Sequence, residues 1–98
     1  MFKNSIEPSF ARLPGPVVFS KLRRLAAREV LAALRVFGFE VVATRGNHAK
    51  LRRELADGTR QVLTIPLHRE LAPGTLGAVF RQATRFIAAD ELRPYFFR

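Results

Sequence analysis

The chain has 98 residues, of which 48% are hydrophobic, and its 17 lysines and arginines against 8 acidic residues give a net charge of +9. This length predicts one small domain with a single modest core. The absence of cysteine excludes disulfides and thiolate metal sites, and no apolar run approaches the roughly 20 residues that cross a bilayer. We therefore expect a soluble cytoplasmic protein with no membrane association.

The positive charge is concentrated in the first half of the chain. Residues 1–53 contain 11 basic and 3 acidic side chains, whereas residues 54–98 contain 6 and 5. A local excess predicts a face that meets a polyanion such as a nucleic acid. A solvated basic surface, or one that pairs with an acidic protein, explains the charge equally well.

The first 20 residues show no clean hydrophobic periodicity and contain three prolines. For residues 1–20 we predict an N-terminal arm or irregular lead-in, with Val17, Val18 and Phe19 able to reach the core. A disordered extension is an equal alternative. Residues 21–98 are predicted to form the domain, with a short C-terminal tail.

A first helix is predicted from about Leu25 to Phe37, where apolar residues recur at the spacing of a buried helical stripe. Gly38 follows the last periodic residue and is suited to end the helix. A neighbouring stripe carries three arginines that are candidates for contact with a phosphate backbone, although a solvated helix face explains them nearly as well. They are Arg24, Arg28 and Arg35.

Three segments have the composition of β-strands, covering residues 39–44, 48–55 and 61–65. Gly46-Asn47 and Asp57-Gly58 are the turn signals between them, and Pro66 ends the third. Consecutive strands joined by short turns predict an antiparallel three-stranded sheet with helices on one face.

A second helix is predicted after Pro73-Gly74, with Thr75 as its N-cap. Asp90 is predicted to cap one last short turn, which Pro94 limits. The aromatic tail that follows, residues 95–97, is expected to fold onto the core rather than to stack on bases. The predicted fold class is therefore α+β, with the order α-β-β-β-α.

The second predicted strand carries the main candidate for chemistry. Side chains alternate along a strand, which puts His48, Lys50 and Arg52 on one face and the apolar residues between them on the other. Such a histidine can take the proton of a ribose 2′-hydroxyl or protonate a departing 5′-oxygen. Lys50, Arg52 and Arg45 are candidates to stabilise the phosphorane. An ordinary exposed histidine is the alternative.

His68, in the loop after the third strand, is a second candidate acid or base, although a role in loop geometry or in contact with a partner fits it better. The sequence contains no Gly-rich phosphate loop, no plausibly spaced carboxylate pair and no His/Cys metal cluster. We therefore expect no metal and no other cofactor. If the protein is an enzyme, metal-free acid–base chemistry fits it best.

Several runs of this sequence recur together in one known family. The first, Val30 to Arg53, contains Gly38-Phe39 and Gly46-Asn47-His48; the second runs from Ile65-Pro66-Leu67-His68 to Pro73-Gly74-Thr75-Leu76, and Arg81-Gln82-Ala83 follows it. With these runs, roughly residues 22–87 resemble the HicA toxins of bacterial toxin–antitoxin systems.

The resemblance implies a fold similar to a double-stranded RNA-binding domain. It also implies metal-independent mRNA cleavage, inhibition by a cognate HicB antitoxin that covers the histidine face, and a catalytic role for His48, which matches the histidine of the family's Gly-Ser-His motif. Asn47 replaces the usual serine, so any role of a hydroxyl is lost. Ala26-Ala27 stand where relatives often have Ser-Gly, so a favourable N-cap is missing.

Two further hypotheses remain open at this point. One is a non-catalytic RNA-binding module, although duplex binders usually carry lysines at the start of the last helix, and residues 75–78 contain none. The other is a degenerate toxin that acts only as a protein-interaction domain, whose basic face pairs with an acidic partner.

Overall fold

The computed structural model describes residues 21–98. Its elements are helix α1 (Ala27–Val36), strands β1 (Glu40–Arg45), β2 (His48–Glu54) and β3 (Arg60–Pro66), and helices α2 (Pro73–Ala83) and α3 (Ala89–Phe96). The α+β class and the order α-β-β-β-α are confirmed, with α3 in place of a short last turn. The predicted arm, including Val17, Val18 and Phe19, lies outside the described residues, and the division at residue 20 stays a prediction.

Helix α1 starts without a side-chain cap, as its two alanines predict. Ala26 has extended backbone angles, and its N–H donates to Glu29 Oε1 at 2.8 Å. The N–H of Ala27 donates to the carbonyl of His68 at 3.1 Å, so a distant loop satisfies the first turn. Because the helix begins at Ala27, Arg24 precedes it, and the prediction that Arg24 shares a helical stripe was wrong.

The three strands form one antiparallel sheet in the order β1-β2-β3. A two-residue turn joins β1 to β2, so that Arg45 faces His48 and Gly46 adopts a φ of +56°. The β2–β3 turn is held by Asp57, whose Oδ1 accepts the Thr59 N–H at 2.8 Å, and this bond lowers the pKa of the Asp57 carboxyl. The predicted meander is confirmed.

Helices α1 and α2 pack on one face of the sheet and α3 packs against these two helices, so that all three share one core with alternate residues of β2 and β3. The most deeply buried residues, each at most 1% exposed, include Val30, Leu34, Phe39, Ala49, Leu51, Leu63, Ile65, Leu76, Leu92 and Phe96. The aromatic tail folds onto this core as predicted, since the Phe80 ring lies 5.5 Å from that of Phe96 and 5.1 Å from that of Phe97.

The predicted starts of the last two helices were wrong. Helix α2 begins at Pro73, not after Thr75, because proline at the first helical position has no N–H that the helix would need. Helix α3 continues through Pro94 to Phe96, with Ala88 rather than Asp90 at its N-cap. Burial of Leu92 and Phe96 on the core outweighs the local cost of the proline.

Candidate active site

Within residues 21–98, the face of the sheet opposite the helices is open, and it carries the predicted histidine. His48 and Lys50 of β2 are exposed and Arg52 is half-buried on this face, whereas Ala49 and Leu51 are buried beneath the sheet. The alternation expected from the sequence is therefore confirmed. The helices cannot cover this site, because they pack on the other face.

The strand register sets the neighbours of each basic side chain. His48 lies between two cross-strand neighbours, Arg45 on β1 and Pro66 on β3. Lys50, two residues along β2, shares the histidine's face, so two cations lie beside the imidazole. Arg52 lies two residues further along β2, opposite Glu40 in the strand register.

The backbone that carries His48 is fixed, but its side chain is free to meet a ligand. The carbonyl of Asn47 accepts the N–H of Leu67 at 2.6 Å, which ties the hairpin turn to the end of β3. Toward the described residues, the imidazole makes no hydrogen bond, ion pair or ring contact. Such an arrangement suits a proton donor or acceptor whose partner arrives with the substrate.

The three arginines predicted from the first helix lie elsewhere. Arg28 and Arg35 are exposed on α1, which packs against the opposite face of the sheet from His48. Arg24 precedes α1, and its Nε is 4.0 Å from Glu70 Oε2. The structure therefore brings Arg45, Lys50 and Arg52 together with the histidine but not these three arginines.

His68 is exposed in the loop between β3 and α2. Its backbone carbonyl accepts a hydrogen bond from the Ala27 N–H, and the nearby Leu71 N–H donates to the carbonyl of Leu25 at 2.9 Å. Because these bonds are made by the backbone, they do not depend on the imidazole, and a role of the His68 side chain stays a prediction. In the part of the chain that the structure describes, no three His, Asp or Glu side chains group as metal ligands, and no helix is long and apolar enough to span a membrane.

Two residues with defined contacts were given no structural role in the sequence analysis. Arg53 points to the helix-covered side of the sheet, where its guanidinium donates to backbone carbonyls and to Gln61. Gln82 of α2 bonds to the backbone of Thr64 at the outer edge of β3. Hydrophobic periodicity carries no signal for either contact, since both depend on elements distant in sequence.

An exposed histidine beside cations, on the open sheet face of a small α+β domain, defines a candidate for chemistry on nucleic acid. A family model described as the HicA toxin of bacterial toxin–antitoxin systems matches residues 27–84, more than half of the chain. The protein belongs to this toxin family, whose members generally cleave mRNA. No curated protein and no solved structure matches the chain.

Proposed function

We propose that this protein is a toxin endoribonuclease that cleaves mRNA by metal-independent acid–base chemistry, with His48 as the catalytic residue. The observation that supports this most directly is the exposed, unbonded imidazole beside Arg45 and Lys50 on an open sheet face. Family membership supports the same activity.

The proposed reaction is an internal transfer at one phosphodiester. The 2′-oxygen attacks the adjacent phosphorus while the imidazole of His48 takes its proton, and the bond from phosphorus to the 5′-oxygen breaks. The departing 5′-oxygen receives a proton, from the histidinium or from water. The products are a 2′,3′-cyclic phosphate and a 5′-hydroxyl. Lys50 and Arg45 stabilise the extra negative charge on the phosphorane.

The remaining cations have binding roles in this proposal. Arg52 binds a phosphate further along the open face, since it lies two residues from Lys50 on the same strand. Arg24, Arg28 and Arg35 add only non-specific affinity, because α1 lies on the other side of the sheet.

A second part of the proposal concerns restraint of the activity. An mRNA-cleaving toxin must be held in check in the cytoplasm, and the family implies a cognate antitoxin. We propose a HicB-type antitoxin that covers the open face around His48. Acidic side chains on that partner would meet Arg45 and Lys50.

The test is a cleavage assay with purified protein and a defined RNA in the presence of EDTA. We expect cleavage that EDTA does not slow and product ends that are 2′,3′-cyclic phosphate and 5′-hydroxyl. The matched control is the same RNA with a 2′-deoxyribose at the cut position, which should stay intact because the nucleophile is missing. Cleavage of the deoxy control, or activity that requires added metal, would disprove the mechanism. Binding without cleavage would favour the non-catalytic module.

Cations on the two sides of the sheet should affect different kinetic parameters. Lys50→Gln is expected to lower the rate at saturating RNA by about tenfold or more, because Lys50 acts on the transition state. Arg35→Gln is the matched control, an exposed cation on α1. It should raise only the RNA concentration needed for half-saturation. Equal loss of maximal rate in both variants would contradict the placement of the site.

A further inference from the structure

The two edges of the sheet differ in whether their backbone is already hydrogen-bonded. At the β3 edge, the Thr64 N–H donates to Gln82 Oε1 at 2.9 Å, and Gln82 Nε2 donates to the Thr64 carbonyl at 3.2 Å. The side-chain amide therefore takes the place of an additional strand's peptide group. Along β1 all six residues are exposed, and no strand or side chain of residues 21–98 bonds to its outer edge.

The register of the β1–β2 ladder identifies the groups that point outward from β1. Arg45 and His48 flank a two-residue turn, so they form the hydrogen-bonded pair nearest the turn. From there along the ladder, hydrogen-bonded pairs alternate with pairs that are not hydrogen-bonded to each other. Thr44 and Val41 belong to the pairs that are not hydrogen-bonded, so their N–H and carbonyl groups point away from β2. These two residues are three apart because of the bulge at Val42.

The sequence of β1 is complementary to itself when it runs antiparallel. If the β1 strands of two copies align with Val42 opposite Ala43, then Val41 opposes Thr44. The outward-facing residues meet each other in this register, so both pairs can exchange backbone hydrogen bonds around a two-fold axis. At each end of the contact, Glu40 of one copy opposes Arg45 of the other.

We propose that two copies of this protein associate through the β1 edge and form one continuous six-stranded sheet. The contact covers Val41 and Val42, which are 40% and 43% exposed in the single chain. Because the Gln82 amide occupies the β3 edge at Thr64, a further strand cannot pair along the whole of that edge, and the association ends at two copies rather than continuing as a fibre.

The dimer has a consequence for the open face. A two-fold axis perpendicular to the sheet relates the two copies, so both His48 side chains lie on the same side. Glu40 lies beside Arg52 of its own β2 and opposite Arg45 of the second copy, so an acid separates these cations. This pairing offsets part of the repulsion between two chains of net charge +9. The two basic surfaces then form one longer track for a polyanion.

Sedimentation velocity of the full chain over a range of concentrations tests the dimer. The wild type should change from monomer to dimer mass as its concentration rises. Glu40→Arg should weaken association about tenfold, because both end pairs become repulsive. The double variant with Glu40→Arg and Arg45→Glu should regain most of the affinity, because the pairs are restored with their signs exchanged.

Thr44→Pro tests the backbone contact without changing charge. Proline removes the outward N–H of Thr44, while the residues that bond to β2 are unchanged. This variant should remain folded by circular dichroism and stay a monomer. A wild type that is monomeric at every concentration, or a dimer that neither Glu40→Arg nor Thr44→Pro weakens, would overturn the proposal. Because the readout is mass, the result does not depend on whether the protein cleaves RNA.

Discussion

His48→Ala is expected to slow RNA cleavage by about 100- to 10,000-fold, the range that a positioned acid or base contributes. The same substitution should abolish growth inhibition when the protein is expressed in bacteria. The physical reason is that alanine can neither take the 2′-hydroxyl proton nor return one to the leaving oxygen. Single-turnover cleavage of a defined RNA in EDTA measures the loss without interference from product release.

Folding and binding should survive this substitution. The imidazole is exposed and makes no hydrogen bond, ion pair or ring contact with the described residues, so the free energy of unfolding should change by no more than about 0.5 kcal/mol. Arg45 and Lys50 remain in place, so RNA affinity measured by fluorescence anisotropy should stay close to that of the wild type. A folded, RNA-binding His48→Ala protein that cleaves at the normal rate would place the catalytic group elsewhere.

The other histidine of the chain provides the matched control. His68→Ala removes the second imidazole but keeps the backbone carbonyl that accepts the Ala27 N–H. This variant should therefore retain both the start of α1 and most of the cleavage rate. If His68→Ala and His48→Ala lose activity equally, the reaction uses two histidines, and the single-histidine mechanism is wrong.

The open face could be predicted from the sequence because it depends on local rules. Gly46-Asn47 fixes a two-residue turn, and the turn fixes the register of β1 against β2. Once the register is set, the two-residue period assigns His48 and Lys50 to one face and Ala49 and Leu51 to the other.

Features that failed to follow from the sequence depend on contacts between distant segments. Helix α1 starts at Ala27 because the carbonyl of His68 satisfies its first turn, and this displaced Arg24 from the predicted helical stripe. Helix α3 passes through Pro94 because two of its side chains are fully buried. Tertiary packing overrides local propensity in both cases.

The adjacent residues Arg52 and Arg53 show the same limit. Both belong to the basic part of the sequence, and alternation sends them to opposite faces. Whether the inward arginine is tolerated depends on the acceptors that other elements supply. The Arg53 guanidinium donates to the carbonyls of Phe37 and Phe86, both at 2.9 Å. Neither acceptor can be recognised from sequence spacing.

Arg53 is expected to be among the most important residues for stability, because it connects β2 to three other parts of the fold. In addition to the two carbonyls, Nε and Nη2 donate to Gln61 Oε1 at 2.8 and 2.6 Å. The guanidinium carbon lies 4.7 Å from the centre of the Phe39 ring, a cation–π contact. A Cβ on Gly38 would lie 3.2 Å from Arg53 Cδ, so this glycine leaves room for the side chain.

Arg53→Met should lower the free energy of unfolding by about 2–4 kcal/mol, because it removes every donor and leaves half-buried carbonyls without a partner. Arg53→Lys should lose most of the same stability, since one ammonium cannot reach all these acceptors. Chemical denaturation followed by circular dichroism measures the change. Such a loss is large, because the total free energy of unfolding of a native domain is only roughly 5–15 kcal/mol.

Arg52→Met is the matched control for this prediction. Arg52 is half-buried like Arg53 and adjacent to it on β2, but its side chain points to the open face and makes no hydrogen bond within residues 21–98. Its replacement should change the free energy of unfolding by no more than about 0.5 kcal/mol. Equal losses in the two methionine variants would mean that general charge or strand propensity, rather than the contacts of Arg53, determines the effect. A loss confined to Arg53→Met would show that one inward arginine joins the sheet to the ends of α1 and α2, while its neighbour is left free to bind phosphate.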